Sequence, residues 1–234
     1  MIDLGTTEIF ILGPTLPRKE FEQYSTRVFD DWDARLQREL SVSDYSVSLE
    51  VEEGSVTAVA TVAATLSAVY LGISNYGSFI SGLETIAKQV RGAGDYLAHR
   101  ATAPFTRLNL PPRVRRRSGD LGRIRRLFRR VQRQEISIGE AMIEAEQIVG
   151  SDAREAPDFM EQLAATIISV GQHPQQLVLP MDLPEEIESG PMPSDELRPR
   201  AVSPNAPVVP RPRFRVTVWR ESRTGKREIR ITEL

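Results

Sequence analysis

Three observations predict a mixed α+β chain that is mainly helical. Helix-period apolar spacing dominates 18–40, 54–100 and 119–171. Strand-period alternation is confined to short stretches near the two ends. Ten of the 39 residues from Pro174 to Pro212 are proline, so an extended linker separates the last strands from the rest. The 234 residues leave room for one or two domains, and with 40% hydrophobic but only 6% aromatic residues the core must be largely aliphatic.

The elements follow in order. Glu8–Leu12 (EIFIL) is predicted as a strand, punctuated by Gly13, Pro14 and Pro17. Arg18–Leu40 is predicted as a helix whose apolar face carries Phe21, Val28, Trp32 and Leu36. In 44–53, Val47, Leu49 and Val51 alternate with Ser46, Ser48 and Glu50, which predicts a second strand. Residues 1–53 thus form a small β-α-β unit, marginal on its own.

Residues 54–100 are expected to form one long helix or a helical hairpin. Val59, Val62, Leu66, Val69, Ile73, Tyr76, Ile80 and Leu83 recur at heptad-like steps. Beside them Ala60, Ala64, Ala68 and Gly72 recur every fourth residue, a small-residue stripe suited to helix association. Residues 101–118 are expected as a basic, Pro-containing linker. Residues 119–171 are expected as a three-helix cluster. It opens with a basic amphipathic helix, continues behind a Ser137/Glu140 capping box, and ends on Pro157–Val170. After the Pro-rich linker, 172–212, the segment 213–234 is predicted as a β-hairpin turning near Thr224–Gly225. Pairing of this hairpin with the N-terminal strands would relieve the marginal stability of both, and is the arrangement favoured.

The formal net charge of −2 conceals blocks. Residues 1–53 carry 5 basic and 12 acidic side chains, 84–134 carry 14 and 3, 135–198 carry 2 and 14, and 199–234 carry 9 and 3. Between the first two blocks, Gly54–Leu83 holds no charge in thirty residues, long enough to span a bilayer. Its abundance of Ala, Thr and Ser argues equally for a buried soluble helix. The arginines of the basic block, Arg115, Arg116, Arg117, Arg123, Arg125, Arg126, Arg129 and Arg130, are the candidate contacts to an anionic surface. Self-pairing with the following acidic block is the competing expectation.

The composition excludes much chemistry. Without cysteine there are no disulfides, thiolate nucleophiles or Cys-ligated metals. Two histidines, His99 and His173, cannot build a three-His metal site and are expected at the surface. No phosphate-binding glycine loop, dinucleotide fingerprint or nucleophile elbow occurs. The closest carboxylate cluster, Asp30, Asp31 and Asp33, is expected to be a solvated helix face. No catalytic, cofactor-binding or metal residues are therefore assigned, and no cofactor is expected.

The expected function is a non-enzymatic, self-associating helical protein acting at or in a bacterial membrane, with a pore-forming defence effector as one form. The expected partners are copies of itself and an anionic membrane surface. Two alternatives stand beside it. One is a soluble adaptor binding a protein partner through its C-terminal arm and hairpin. The other is a nucleic-acid-binding module using the arginine-rich region. Arginine outnumbers lysine 27 to 3, a bias of high-GC bacterial coding. The first ten residues lack a secretory signal, so the chain is expected in the bacterial cytoplasm or on the cytoplasmic face of the inner membrane.

Overall fold

The computed structural model describes residues 1–11, 16–53, 56–108, 112–172 and 213–234. The chain runs β1 (Ile2–Ile11), α1 (Arg18–Glu39), β2 (Ser46–Glu52), β3 (Val56–Ala64), α2 (Leu66–Ile73), α3 (Phe79–Thr102) and β4 (Arg113–Arg117). It continues through α4 (Gly119–Gln132), α5 (Ile138–Val149), α6 (Pro157–Gln172), β5 (Phe214–Arg220) and β6 (Glu228–Glu233). The fold is mixed α+β: the six strands form one antiparallel sheet in the order β4-β1-β3-β2-β5-β6.

The C-terminal hairpin joins the N-terminal strands, with β5 paired to β2 from Val47↔Arg220 to Glu52↔Arg215. Strands β1 and β2 are not neighbours, because β3 lies between them. The inward residues of β2, β3 and β5 obey a period of two: Val47, Leu49 and Val51; Ala58, Ala60, Val62 and Ala64; Val216 and Val218 are all buried. In β1 the inward set changes parity. A bulge between Asp3 and Gly5 shifts it from Ile2 and Leu4 to Thr7, Ile9 and Ile11.

The long helix expected over 54–100 is not formed. Residues 56–64 are strand, 66–73 a short helix, and α3 starts only at Phe79. The physical reason lies in the local signals. Val-Thr-Ala-Val-Ala-Thr-Val is rich in β-branched residues, which pack well on a pleated surface. Thr65 then caps α2 by accepting the Ala68 N–H at 3.3 Å, and Ser78 caps α3 by accepting the Ser81 N–H at 3.2 Å. Gly77 takes the left-handed conformation (φ 64°) between them. The heptad-like stripe is therefore divided among β3, α2 and α3, and Val59 falls on the sheet face opposite Val62. Among the described residues no helix is long and apolar enough to cross a membrane.

The expected linker 101–118 contains an edge strand, since β4 pairs with β1. Of the expected linker 172–212, Gln172 ends α6 and residues 173–212 lie outside the described residues. Helices α1 and α3 cover the inward face of the sheet. Helices α4, α5 and α6 pack together beside the start of β1, and their buried residues are continuous with the sheet core. The Ser137/Glu140 capping box forms in full.

Candidate anion-binding cleft

The cleft is built where β4 turns into α4. On an antiparallel ladder, residues directly opposite share a face. Arg116 stands opposite Thr7, on the side covered by α3, and Arg115 opposite Glu8, on the other side. Arg116 is accordingly ion-paired with Asp95 of α3, whereas Arg115 lies 5.7 Å from the centroid of the Phe10 ring. After Arg117 the chain reverses at Gly119 (φ 57°), where a Cβ would meet the Asp3 carbonyl oxygen at 2.4 Å. That close approach lays α4 against the bulge of β1. The Asp120 carboxylate accepts the Asp3 N–H at 3.0 Å, and the Asp3 carboxylate accepts the Gly5 N–H at 2.8 Å.

Helix α4 is strongly two-faced. Leu121, Ile124, Leu127, Phe128 and Val131 are buried in the core. The register that buries them leaves Arg125, Arg126 and Arg129 facing a cleft of about 250 Å3. Lys88 and Arg91, three apart on α3, stand across from them, and Arg116 and Arg117 of β4 complete the rim. The remaining wall is Leu4–Thr7 of β1, Ala87 and Val90 of α3, Ser118, and Gly122 of α4. Gly5 keeps this wall thin, because a Cβ there would come 3.0 Å from Val90 Cγ1.

Among the described residues, seven cationic side chains thus line one cleft, and no carboxylate and no aromatic ring does. Arg116 is tied outside it to Asp95 and Arg117 to Glu8, and Arg125 and Arg129 also have partners within the fold. A cleft lined by one sign of charge between low-dielectric walls concentrates counter-ions. Guanidinium groups match the geometry of phosphate oxygens with paired N–H donors.

The other arginines expected at an anionic surface have different partners. Arg123 points outward beside Asp120, at 3.4 Å. Arg130 grips both Glu144 carboxylate oxygens at 2.8 and 2.6 Å, fastening α4 to α5. The expected pairing between the basic block and the acidic block after it is represented by this contact and by Arg133–Glu135. Lys88 and Arg91 escaped the sequence reading. Both were inside the basic block, but they follow an uncharged run and only the tertiary fold brings them opposite α4.

The small-residue stripe is not a helix face. Ala60 and Ala64 point inward from β3, and Ala68 and Gly72 lie buried in α2, where a Cβ on Gly72 would come 3.2 Å from the Ser41 carbonyl oxygen. The acidic triplet of α1 is also not simply solvated. Asp30 pairs with Arg227, Asp31 with Arg100 and Asp33 with Arg220, so the three carboxylates fasten α1 to the β5–β6 hairpin and to α3. Among the described residues no cluster of His, Asp or Glu could hold a metal ion. His99 is exposed at the end of α3, and His173 lies outside the described residues. Compared with known proteins, the chain matches no family model, no curated protein and no solved structure.

Proposed function

We propose that this chain is a non-enzymatic binding module that holds phosphate groups of an anionic partner in the cleft between α3, α4 and β4. The observation that carries the reading is the convergence of seven cations from three elements on one concavity, with no acid in its wall among the described residues. A solvated arginine face would be convex and interleaved with carboxylates. Here the concave side collects the cations, while Glu144 neutralises an arginine on the far side of α4.

The reading modifies the membrane expectation. An amphipathic helix that lies in a leaflet must bury its apolar face in lipid. The apolar face of α4 is already used by the core, so α4 offers a leaflet only its cations. The adaptor alternative keeps one feature in its favour: among the described residues β6 is an edge strand with no strand partner on its outer side, and edge strands can accept a strand from another protein.

The test is thermal stability in sodium phosphate against sodium chloride at equal ionic strength. A ligand that binds only the native state stabilises it by mass action, about 2.7 kcal/mol at a hundredfold excess over Kd. Phosphate should raise Tm of the wild type and leave Tm of an Arg91→Glu/Arg126→Glu variant unmoved. Equal shifts in both proteins would overturn the proposal.

A further inference from the structure

The shape and lining of the cleft point to more than a generic anion. Building on the proposed phosphate-binding function, we infer that its ligand is a compact polyphosphate, two or three linked phosphates of a small molecule, recognised through the phosphates alone.

Three observations narrow the class. The cleft holds about 250 Å3, below the roughly 300–1,000 Å3 of pockets that enclose whole drug-sized ligands. A short chain of phosphates suits that space, and a duplex does not. Among the described residues no aromatic side chain lines it, so a nucleobase would find no stacking platform there. The charge density is too high for one phosphate. Lys88 and Arg91 have no carboxylate partner among the described residues, and they face Arg126, which reaches only the Ser118 hydroxyl at 3.5 Å. Like charges gathered around one cleft repel one another until a multivalent anion bridges them. Glycine supplies the remaining geometry: Gly5 and Gly122 put backbone rather than side chain against the space between the cations.

The experiment is isothermal titration of the full chain with orthophosphate, pyrophosphate, tripolyphosphate and ATP, at fixed ionic strength and without divalent cations. Each phosphate added is held by charge-assisted hydrogen bonds and should gain about tenfold in affinity or more. ATP should match tripolyphosphate, because its nucleoside would extend beyond the cleft. Lys88→Ala and Arg91→Ala should each weaken tripolyphosphate binding about tenfold. Lys19→Ala, on the exposed start of α1, should leave it unchanged. Circular dichroism of the variants separates lost binding from lost folding.

Orthophosphate binding as tightly as tripolyphosphate would overturn this inference while leaving the phosphate-binding function standing. ATP binding more than tenfold tighter than tripolyphosphate would overturn recognition through phosphates alone. A short DNA duplex or phosphatidylglycerol vesicles outcompeting tripolyphosphate would assign the cleft to a macromolecular surface instead. No binding of any phosphate species would remove both proposals together.

Discussion

Asp33 of α1 and Arg220 of β5 form an ion pair at 2.5 Å, with side chains only 13% and 5% exposed. Arg220 occupies an inward position of the strand, continuing the series Val216 and Val218, and its guanidinium lies 5.5 Å from the centroid of the Tyr45 ring. The pair binds the C-terminal hairpin to the first helix across 187 residues of sequence. Removing one partner from a buried pair leaves the other charge uncompensated, which costs about 3–5 kcal/mol. Asp33→Ala should therefore destabilise the chain by that amount in urea unfolding. The double variant Asp33→Leu/Arg220→Met should recover most of the loss. Failure of the double variant to recover would mean that the pair contributes more than mutual charge compensation.

Gly119 sets the angle at which α4 meets the sheet. Its positive φ is strained for any other residue, and a Cβ there would strike the rigid Asp3 carbonyl at 2.4 Å. Strain of this kind costs about 1–3 kcal/mol before any clash is counted. Gly119→Ala should lower stability by about 2 kcal/mol or more, and should weaken phosphate binding beyond what global unfolding explains. A variant with unchanged Tm would show that α4 docks without this turn.

Two incompatible roles for Ala60 are separable by one substitution. On a helix-association stripe, a larger residue would alter assembly and leave the fold intact. On the inward face of β3, where Ala60 is buried, a larger residue overpacks the core at about 1–3 kcal/mol. Ala60→Leu should thus shift the urea midpoint. An unchanged midpoint together with a changed oligomer size by light scattering would restore the helical stripe.

The same residue shows why part of the fold was legible and part was not. Helix α1, the capping box of α5 and the hairpin β5–β6 each carry their signal locally: one apolar face, one Ser/Glu pair, one alternation around a glycine turn. Residues 56–64 carry two signals at once. Val59 and Ala63 are apolar on the face opposite the core, so the strand alternation is masked and a spurious heptad spacing emerges. The β-branched residues and the Thr65 cap were the discriminating signals. The cleft was half visible for a related reason. The arginines of β4 and α4 stand out in sequence, but Lys88, Arg91 and the Gly5 wall become neighbours only through the β1–β4 pairing. The acidic triplet of α1 was visible as a cluster, and the arginines that neutralise it lie 69 to 197 positions away.

Asp3 gives the chain a pH dependence with a definite sign. Burial pushes its carboxyl above the usual range, outweighing the Gly5 N–H bond that favours the ionised form, and the neighbouring Asp120 charge raises it further. The native state therefore binds this proton more tightly than the unfolded chain does. The stability Asp3 contributes is complete below the unfolded value, about 3.9, and is lost as pH rises through the higher folded value. Asp3→Asn keeps a side-chain oxygen to accept the Gly5 N–H and removes the buried charge beside Asp120. The variant should be more stable than the wild type at pH 7, and the difference should vanish near pH 3, where the wild-type carboxyl is also neutral. Thermal melts of both proteins across that interval provide the check. A gain that persisted undiminished at pH 3 would assign the effect to packing, and a loss at pH 7 would show that the Gly5 hydrogen bond requires the full carboxylate charge.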